Sequence, residues 1–207
     1  MKQNYQLILD KIINTECANG SRPSLLLHAC CAPCSSYVLE YLSKHFDITL
    51  FFYNPNISPE SENAYREAEL VRLVDEMGLS DSIRVIKGSY EPQRFEELAK
   101  GLEDIPEGGA RCAKCYELRL SETAKLAADG GYDFFTTTLS ISPYKNAEWL
   151  NSIGDAQGEK YGVRYLTSDF KKRNGYKRSC ELSEIYGLYR QDYCGCEYSR
   201  RNKPKTT

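Results

Sequence analysis

The sequence has no long apolar run. Its longest apolar stretches, near residues 25–27 and 50–52, have the length of a strand, whereas a membrane-spanning helix needs roughly 20 residues. Residues 1–6 also lack the basic and then apolar pattern of a secretory signal. We therefore expect no membrane span and a cytoplasmic location, where thiols stay reduced and favour metal or redox chemistry over structural disulfides.

Proline and glycine are not abundant, with eight and fourteen residues among 207. The hydrophobic fraction of 41% and the charged fraction of 27% are typical of a globular protein and argue against a disordered one. This length suits a single domain. We predict one domain over residues 1–207, in which residues 1–20 form a helical extension and residues 200–207 a flexible basic tail.

An excess of positive charge is also lacking. The 27 lysines and arginines face 29 acidic residues, so the net charge of −2 does not indicate the basic character of many nucleic-acid-binding domains. The basic residues are nevertheless unevenly spread, with one cluster at Lys171, Lys172 and Arg173 and another over residues 200–205. A solvated face and tail would explain both clusters as well as a binding surface would.

Cysteine, in contrast, is abundant, and seven of the nine cysteines fall into three groups. The groups are Cys30, Cys31 and Cys34; Cys112 and Cys115; and Cys194 and Cys196. Thiolates separated by one to three residues can turn toward a common centre, and groups so distant along the chain share one only after folding. The three groups therefore predict a metal or redox site.

Apolar segments of strand length alternate with helical patterns along the chain. Strands are predicted over residues 24–28, 48–53, 83–86, 132–138 and 163–166. Helices are predicted over residues 5–14, from 35 onward, and over 60–77, 95–102, about 112–128, 146–161 and 178–186. On the helix over residues 60–77, the expected buried face carries Ala64, Ala68, Val71 and Val74.

This alternation predicts the fold class. We expect an α/β fold, a single Rossmann-like domain whose mainly parallel sheet is covered by helices on both faces. In such sheets the site lies at the carboxyl ends of the strands. The first cysteine group and the turns at residues 54–56 and 140–145 should therefore share one rim, which would hold the metal site.

Seven clustered thiols exceed the four that one zinc ion or one 4Fe-4S cluster binds, which indicates something beyond a single closed site. A structural zinc ribbon, with the surplus cysteines buried as small hydrophobes, is one interpretation. The unlike spacing of the groups favours a redox centre instead, because a ribbon usually pairs two Cys-x-x-Cys motifs. Cys17 and Cys180 lie apart and are interpreted as inert, and His28 as a hydrogen-bonded strand residue.

Five motifs follow one another along the chain. They are Leu-His-Ala-Cys-Cys-Ala-Pro-Cys at 27–34, Phe-Tyr-Asn-Pro-Asn-Ile at 52–57, Arg-Cys-Ala-Lys-Cys at 111–115, Thr-Thr-Leu-Ser-Ile-Ser-Pro-Tyr-Lys-Asn at 137–146 and Leu-Tyr-Arg-Gln-Asp-Tyr-Cys-Gly-Cys at 188–196. Together they resemble the cobalamin-independent epoxyqueuosine reductases, the QueH family. The resemblance covers nearly the whole chain, and five motifs in this order are far more specific than one Cys-x-x-Cys motif.

The resemblance implies an oxidoreductase that reduces epoxyqueuosine to queuosine at the wobble position of tRNA, the last step of queuosine formation. It implies a 4Fe-4S cluster, no cobalamin, and an electron donor that remains unidentified. The cluster ligands that we assign are Cys30, Cys31, Cys112 and Cys115. Cys194 and Cys196 are then expected to form a redox dithiol or to bind an additional iron, and Cys34 to be a further ligand or a bystander.

Opening the epoxide also requires a proton at its oxygen. The candidate donors on the rim are Tyr53, Tyr144, Lys145 and Tyr193, each of which would serve equally as a hydrogen-bonding neighbour. The resemblance implies tRNA as the partner, and tyrosines at the site are expected to stack on an unstacked base. The residues expected to contact the tRNA phosphates are Lys171, Lys172, Arg173 and Arg190.

Two other functions fit parts of the sequence. An ATP-pyrophosphatase-like tRNA thiolation enzyme shares this fold and can hold an iron-sulfur cluster, but it should carry a Ser-Gly-Gly-x-Asp-Ser loop after the first strand. Residues 30–36 read Cys-Cys-Ala-Pro-Cys-Ser-Ser and lack the glycines whose amides would bind pyrophosphate. A zinc-stabilised RNA-binding module, in which the cysteines only hold the fold together, would contain zinc and no iron.

Overall fold

A computed structural model describes residues 3–201. The helices are α1 (Tyr5–Glu16), α2 (Ala32–Leu42), α3 (Glu60–Glu76), α4 (Pro92–Ala99), α5 (Ala110–Asp129), α6 (Ala147–Tyr161), α7 (Gly175–Ile185) and α8 (Glu197–Arg201), with short 3₁₀ helices at Ala18–Gly20 and Thr138–Ile141. The strands are β1 (Ser24–His28), β2 (Asp47–Phe52), β3 (Arg84–Lys87), β4 (Phe134–Thr137) and β5 (Arg164–Tyr165).

The five strands form one parallel sheet in the order β3-β2-β1-β4-β5. The central strand is β1, in which Leu27 pairs with Leu50 of β2 and with Thr136 of β4. The predicted Rossmann-like α/β fold is therefore confirmed. Because β1, β2 and β4 are parallel neighbours, the segments that follow them meet at one edge of the sheet.

Side chains of β1 alternate between the two faces of the sheet. Leu25 and Leu27 pack in a core with Leu39 of α2, whereas Leu26 packs on the other face with Leu120 of α5. All three β1 leucines are fully buried. Each contributes about 1.5–3 kcal/mol by leaving water, so both helical layers are held firmly to the strand that carries the first cysteine group.

The second helix begins earlier than expected. It starts at Ala32 rather than at residue 35, with Pro33 in its first turn, a position that proline favours because its fixed φ suits a helix start. This start makes Cys31 the N-terminal capping residue and places Cys34 in the first helical turn.

The buried face predicted for α3 is wrong for three of its four residues. Ala64, Ala68 and Val71 are exposed, while Asn63 and Arg66 are buried. The reason is that α3 turns polar groups toward the rim: the Asn63 side chain donates to the backbone oxygen of Asn54 at 3.0 Å, and Arg66 reaches the segment around residue 194. Hydrogen bonds there replace apolar packing.

Two terminal segments were predicted, a helical extension and a basic tail. The helical extension expected over residues 1–20 contains α1, and Arg200 and Arg201 end α8. The rest of the predicted basic tail, residues 202–207, lies outside the described residues. Between residues 3 and 201, no helix is long and apolar enough to cross a membrane.

Candidate active site

The first cysteine group directly follows β1. The Sγ atoms of Cys30 and Cys31 lie 3.7 Å apart, and the three sulfur atoms of Cys30, Cys31 and Cys34 all lie within 4.8 Å of one another. Cys34 reaches the other two because it stands three residues after Cys31, within the first turn of α2. These three thiols form a set that can hold a metal ion.

Hydrogen bonds within this set give its three thiols different pKa values. Those from Cys31 and Cys34 hold the pKa of the Cys30 thiol well below its ordinary value, although burial acts in the opposite direction. The hydrogen bond to Cys30 raises the pKa of Cys31 to about 12, and the same interaction raises the pKa of Cys34 well above its ordinary value. One thiolate is thus stabilised by two thiols, and a bound cation would favour deprotonation of all three.

The second cysteine group lies at the start of α5. The helix begins at Ala110, so Cys112 and Cys115 occupy its first two turns and, three residues apart, share one face. The Sγ atom of Cys112 accepts a hydrogen bond from the backbone N–H of Gly108 at 3.3 Å. The prediction that these two thiols lie on the same face at a helix start is confirmed.

The third group lies next to the second. Burial raises the pKa of Cys115 to about 12; Arg119 opposes this rise, and the charges of Cys194 and Cys196 add to it. Cys115 and Cys196 also belong to one small apolar cluster with Phe95 of α4. Folding therefore brings the segment around residues 194–196 back to the helix that carries the second group.

Arg119 is a fully buried cation between the thiol sets. Its Nε donates to Nε2 of His28 at 3.3 Å, and its Nη2 donates to Oδ1 of Asn54 at 2.5 Å. Burial lowers the pKa of this guanidinium, but the charges of Cys115 and Cys30 raise it above its ordinary value. A charge this deep needs compensating partners. Thiols of the first and second groups both act on the pKa of Arg119, so its guanidinium lies near both groups.

His28 stays neutral in this arrangement. Burial and the neighbouring Arg119 lower the pKa of its imidazole to about 3. Its Nδ1 lies 2.8 Å from Oγ1 of Thr137 on β4, so the ring is held between two strands. These contacts support the interpretation of His28 as a hydrogen-bonded strand residue.

A cavity of about 620 Å³ opens at the rim, and thiols of the first and third cysteine groups line it. Arg66 also lines the cavity, with its side chain 2% exposed. Its Nε donates to Glu62 at 2.7 Å and its Nη1 to the backbone oxygen of Cys194 at 3.2 Å. Its Nη2 is buried and has no hydrogen-bond partner anywhere in residues 3–201. The cavity wall therefore holds an unused donor.

Gly195 explains why Arg66 can approach the third cysteine group so closely. Its φ of +111° is a conformation that side-chain-bearing residues rarely adopt, and a Cβ atom there would lie 3.0 Å from Nη1 of Arg66. A glycine between Cys194 and Cys196 thus allows both the turn and the guanidinium contact.

Lys145 lies at the wall of the same cavity. Its Nζ lies 3.2 Å from Sγ of Cys194 and 2.8 Å from Oε1 of Glu107, and its side chain is only 7% exposed. Burial lowers the pKa of the ammonium group, but the charges of Cys194, Tyr116 and Glu107 raise it well above its ordinary value. The cavity therefore contains a firmly held positive charge beside a thiol.

Comparison with known proteins agrees with this site. The family model described as Epoxyqueuosine reductase QueH matches residues 25–202. A Staphylococcus epidermidis protein named Epoxyqueuosine reductase QueH is 45% identical over 202 residues, covering 96% of this chain and 85% of the relative. A Streptococcus pyogenes relative of the same name is 41% identical, covering 97% and 79%, and one from Thermotoga maritima is 38% identical, covering 87% and 93%. The chain belongs to the epoxyqueuosine reductase QueH family.

In this QueH family member, the four candidate proton donors occupy different places. Lys145, Tyr193 and Tyr144 all line the cavity, and Tyr144 is 76% exposed. The hydroxyl of Tyr53 accepts a hydrogen bond from Nη1 of Arg94 at 2.9 Å, on the side of α4. The geometry therefore favours Lys145 and Tyr193 over Tyr53 for contact with a molecule in the cavity.

The residues expected to contact tRNA are also distinguished by their partners. Lys171 forms an ion pair with Asp169, and Arg173 forms one with Asp10. Lys172 has no ion pair within residues 3–201 and lines a neighbouring groove. Of the three adjacent cations, Lys172 is therefore the one whose charge is not neutralised locally.

Three charged residues of the site were not predicted: Arg66, Arg119 and Glu107. The first two are arginines on α3 and α5, where a charged residue in a helical pattern normally indicates a solvated face. A usable signal for Arg119 was its position four residues after Cys115, on the same helix face. Arg190, predicted to contact tRNA, lines the cavity with Arg66.

Proposed function

We propose that this chain reduces the epoxide of epoxyqueuosine in tRNA to the alkene of queuosine. The observation that carries the proposal is the placement of four thiols, those of Cys30, Cys31, Cys34 and Cys194, on the wall of one cavity in a member of the QueH family. The reaction takes up two electrons and two protons. Both carbon–oxygen bonds of the epoxide break, a carbon–carbon double bond forms, and the oxygen leaves as water.

The thiols of Cys30, Cys31 and Cys34, whose sulfurs lie within 4.8 Å of one another, are compatible with a metal site, and thiolates are the ligands that hold iron-sulfur clusters. The ligands we propose are Cys30, Cys31, Cys112 and Cys115. When bound, a 4Fe-4S cluster would supply electrons one at a time, so a two-electron reduction is helped by a second redox or metal element beside it.

The remaining thiols suit that second element. Cys194 and Cys196 are proposed as a redox dithiol or as ligands of an additional iron. Cys34, whose sulfur lies within 4.8 Å of those of Cys30 and Cys31, is proposed as a further ligand. Seven thiols against four ligand positions support a partner element of this kind.

The cations of the cavity have separate tasks in the proposal. Lys145 delivers a proton to the epoxide oxygen as it leaves, because its ammonium group lies at the cavity wall. Arg66 holds the backbone oxygen of Cys194 at the cavity wall through its Nη1. Arg119, which also lines the cavity, balances the charge of the thiolates.

The test is an anaerobic assay with metal analysis. The purified protein, supplied with iron, sulfide and a chemical reductant, should convert epoxyqueuosine in tRNA to queuosine, read as the loss of one oxygen from the nucleoside by mass spectrometry. ATP-dependent incorporation of sulfur into tRNA would support the thiolation alternative instead. A colourless protein that contains zinc, lacks iron and binds RNA without altering it would support the zinc-stabilised module.

Charge reversal at Lys171, Lys172 and Arg173 is expected to weaken tRNA binding while iron content stays unchanged. Most of the loss should come from Lys172, because aspartates already neutralise the other two. Removing one phosphate contact should lower the slope of log K against log salt by about 1. The measurement is the tRNA dissociation constant of Lys172→Glu and Arg173→Glu between low and moderate salt. Identical slopes for wild type and Lys172→Glu would contradict the prediction.

A further inference from the structure

A second groove, of about 930 Å³, adjoins the reaction cavity. Its lining includes residues 3–7, at the start of α1, and Asp169, Lys171, Lys172 and Arg173. The groove and the cavity share three lining residues, Pro143, Tyr144 and Lys145, so the two adjoin along this segment. We call this shared segment the Tyr144 ridge. Residues 3–7 precede residue 25, where the match to the family model begins.

Tyr144 stands on this ridge with 76% of its surface exposed, the largest exposed fraction among the large hydrophobic residues of the described chain. No aromatic ring or cation packs on its ring within residues 3–201. A largely exposed aromatic ring is thus available between the groove and the cavity.

The backbone beneath the ring is held in place. The N–H of Tyr144 donates to Oγ of Ser142 at 3.3 Å, and the N–H of Lys145 donates to the backbone oxygen of Ser142 at 3.2 Å. Asn146 then caps α6, its side chain accepting from the N–H of Trp149 at 3.1 Å. Because the backbone of this turn is held in place, Tyr144 loses little conformational freedom when it contacts a base, as an aromatic stacking platform requires.

The charges of the groove suit a polyanion at one end. Among the described residues Lys172 has no ion-pair partner, and it lines the groove together with Asp169 and Glu148. Asp169 is already paired with Lys171. One free cation beside an exposed aromatic ring matches single-stranded RNA, whose bases stack on aromatic side chains while phosphates contact cations.

We propose that Tyr144 stacks on the base adjacent to the modified nucleotide of the anticodon loop, whose phosphate lies toward Lys172, while the modified nucleoside occupies the cavity. This inference rests on the proposed function, because it takes the anticodon loop as the ligand. It assigns Tyr144 to the positioning of RNA and leaves proton delivery to Lys145. It also gives the N-terminal helix a role as a wall of the RNA groove.

The test uses RNA hairpins that carry epoxyqueuosine at the wobble position, with binding measured in the absence of reductant. Tyr144→Ala should weaken hairpin binding by about 10-fold, the size of one lost base–aromatic stack, and Tyr144→Phe should bind like wild type. Two further hairpins lack the base on the 5′ or on the 3′ side of the modified nucleotide. With one of them, wild type and Tyr144→Ala should bind equally, because the stack is already gone.

Equal binding of wild type and Tyr144→Ala to the complete hairpin would overturn the inference. So would a loss that persists, undiminished, with both abasic hairpins, because the ring would then act on something other than a neighbouring base. Iron content and circular dichroism of Tyr144→Ala should equal those of wild type, which separates stacking from folding. A wild-type enzyme that binds the hairpin but does not reduce it would contradict the proposed function and leave the stacking result standing.

Discussion

Replacing Cys31 or Cys112 with alanine is expected to abolish both the iron-sulfur absorbance and the reduction of epoxyqueuosine. Each is a proposed cluster ligand, one from the turn after β1 and one from α5. Alanine has no sulfur atom and therefore cannot bind iron in place of the thiolate. The loss should exceed the roughly 10- to 100-fold effect that removal of a supporting residue causes at a metal site. Iron and sulfide per chain, together with product formation, are the measurements.

The matched control is Cys17→Ala. Its thiol donates to the backbone oxygen of His45 at 3.3 Å and belongs to none of the three groups, so iron content and activity should stay unchanged. Cys194→Ala and Cys196→Ala should keep the cluster and lose activity, since these thiols are proposed to serve the second element. Loss of the cluster in Cys194→Ala, together with its retention in Cys112→Ala, would reverse our division of the ligands.

The rim itself could be predicted from the sequence because strand and helix patterns are local. A buried apolar run at residues 24–28 followed by helical spacing fixes a strand end, and parallel neighbours bring the ends together. The position of Cys34 depended on a finer point. With α2 starting three residues earlier than expected, Cys34 falls one turn above Cys31 and its sulfur joins the first set.

The charged residues of the site could not be predicted in the same way. A helical pattern reports which positions share a face, but not whether that face meets solvent or a polar site. The helical pattern placed Val71 on the buried face and gave no sign of Arg66 or Asn63, whereas the fold exposes Val71 and buries the other two. Only the return of residues 194–196 to α5 and to α3, the latter a contact across 128 residues, decides the matter.

The sequence also could not show which tyrosines face the site. Tyr53 and Tyr144 both lie within motifs that begin at strand ends, so their sequence positions are equally suggestive. In the fold, the hydroxyl of Tyr53 accepts a hydrogen bond from Arg94, whereas the ring of Tyr144 lies exposed on a ridge. Lys145, the neighbour of Tyr144, turns inward instead, and its contacts with Glu107 and Cys194 fix its ammonium group at the cavity wall.

Lys145→Met is therefore expected to slow epoxide reduction by about 10²–10⁴-fold, the usual contribution of a positioned proton donor. The methionine side chain keeps most of the volume and removes the charge and the proton. The rate should be measured in a single turnover with saturating tRNA, so that binding and product release do not limit it. Glu107→Gln should cause a smaller loss, because it weakens the hold on Lys145 without removing the ammonium group.

Two comparisons separate proton delivery from a merely structural effect. Lys125→Met, at an exposed position of α5, should leave the rate unchanged and so measures the effect of losing a surface lysine on that rate. Lys145→Arg keeps a charge beside Cys194 but holds its proton more tightly, so it should preserve iron content and restore little of the rate. If iron content instead fell in parallel with the rate in Lys145→Met, and Lys145→Arg recovered both, the ammonium group would support the thiol site through Cys194. It would not then be the proton donor.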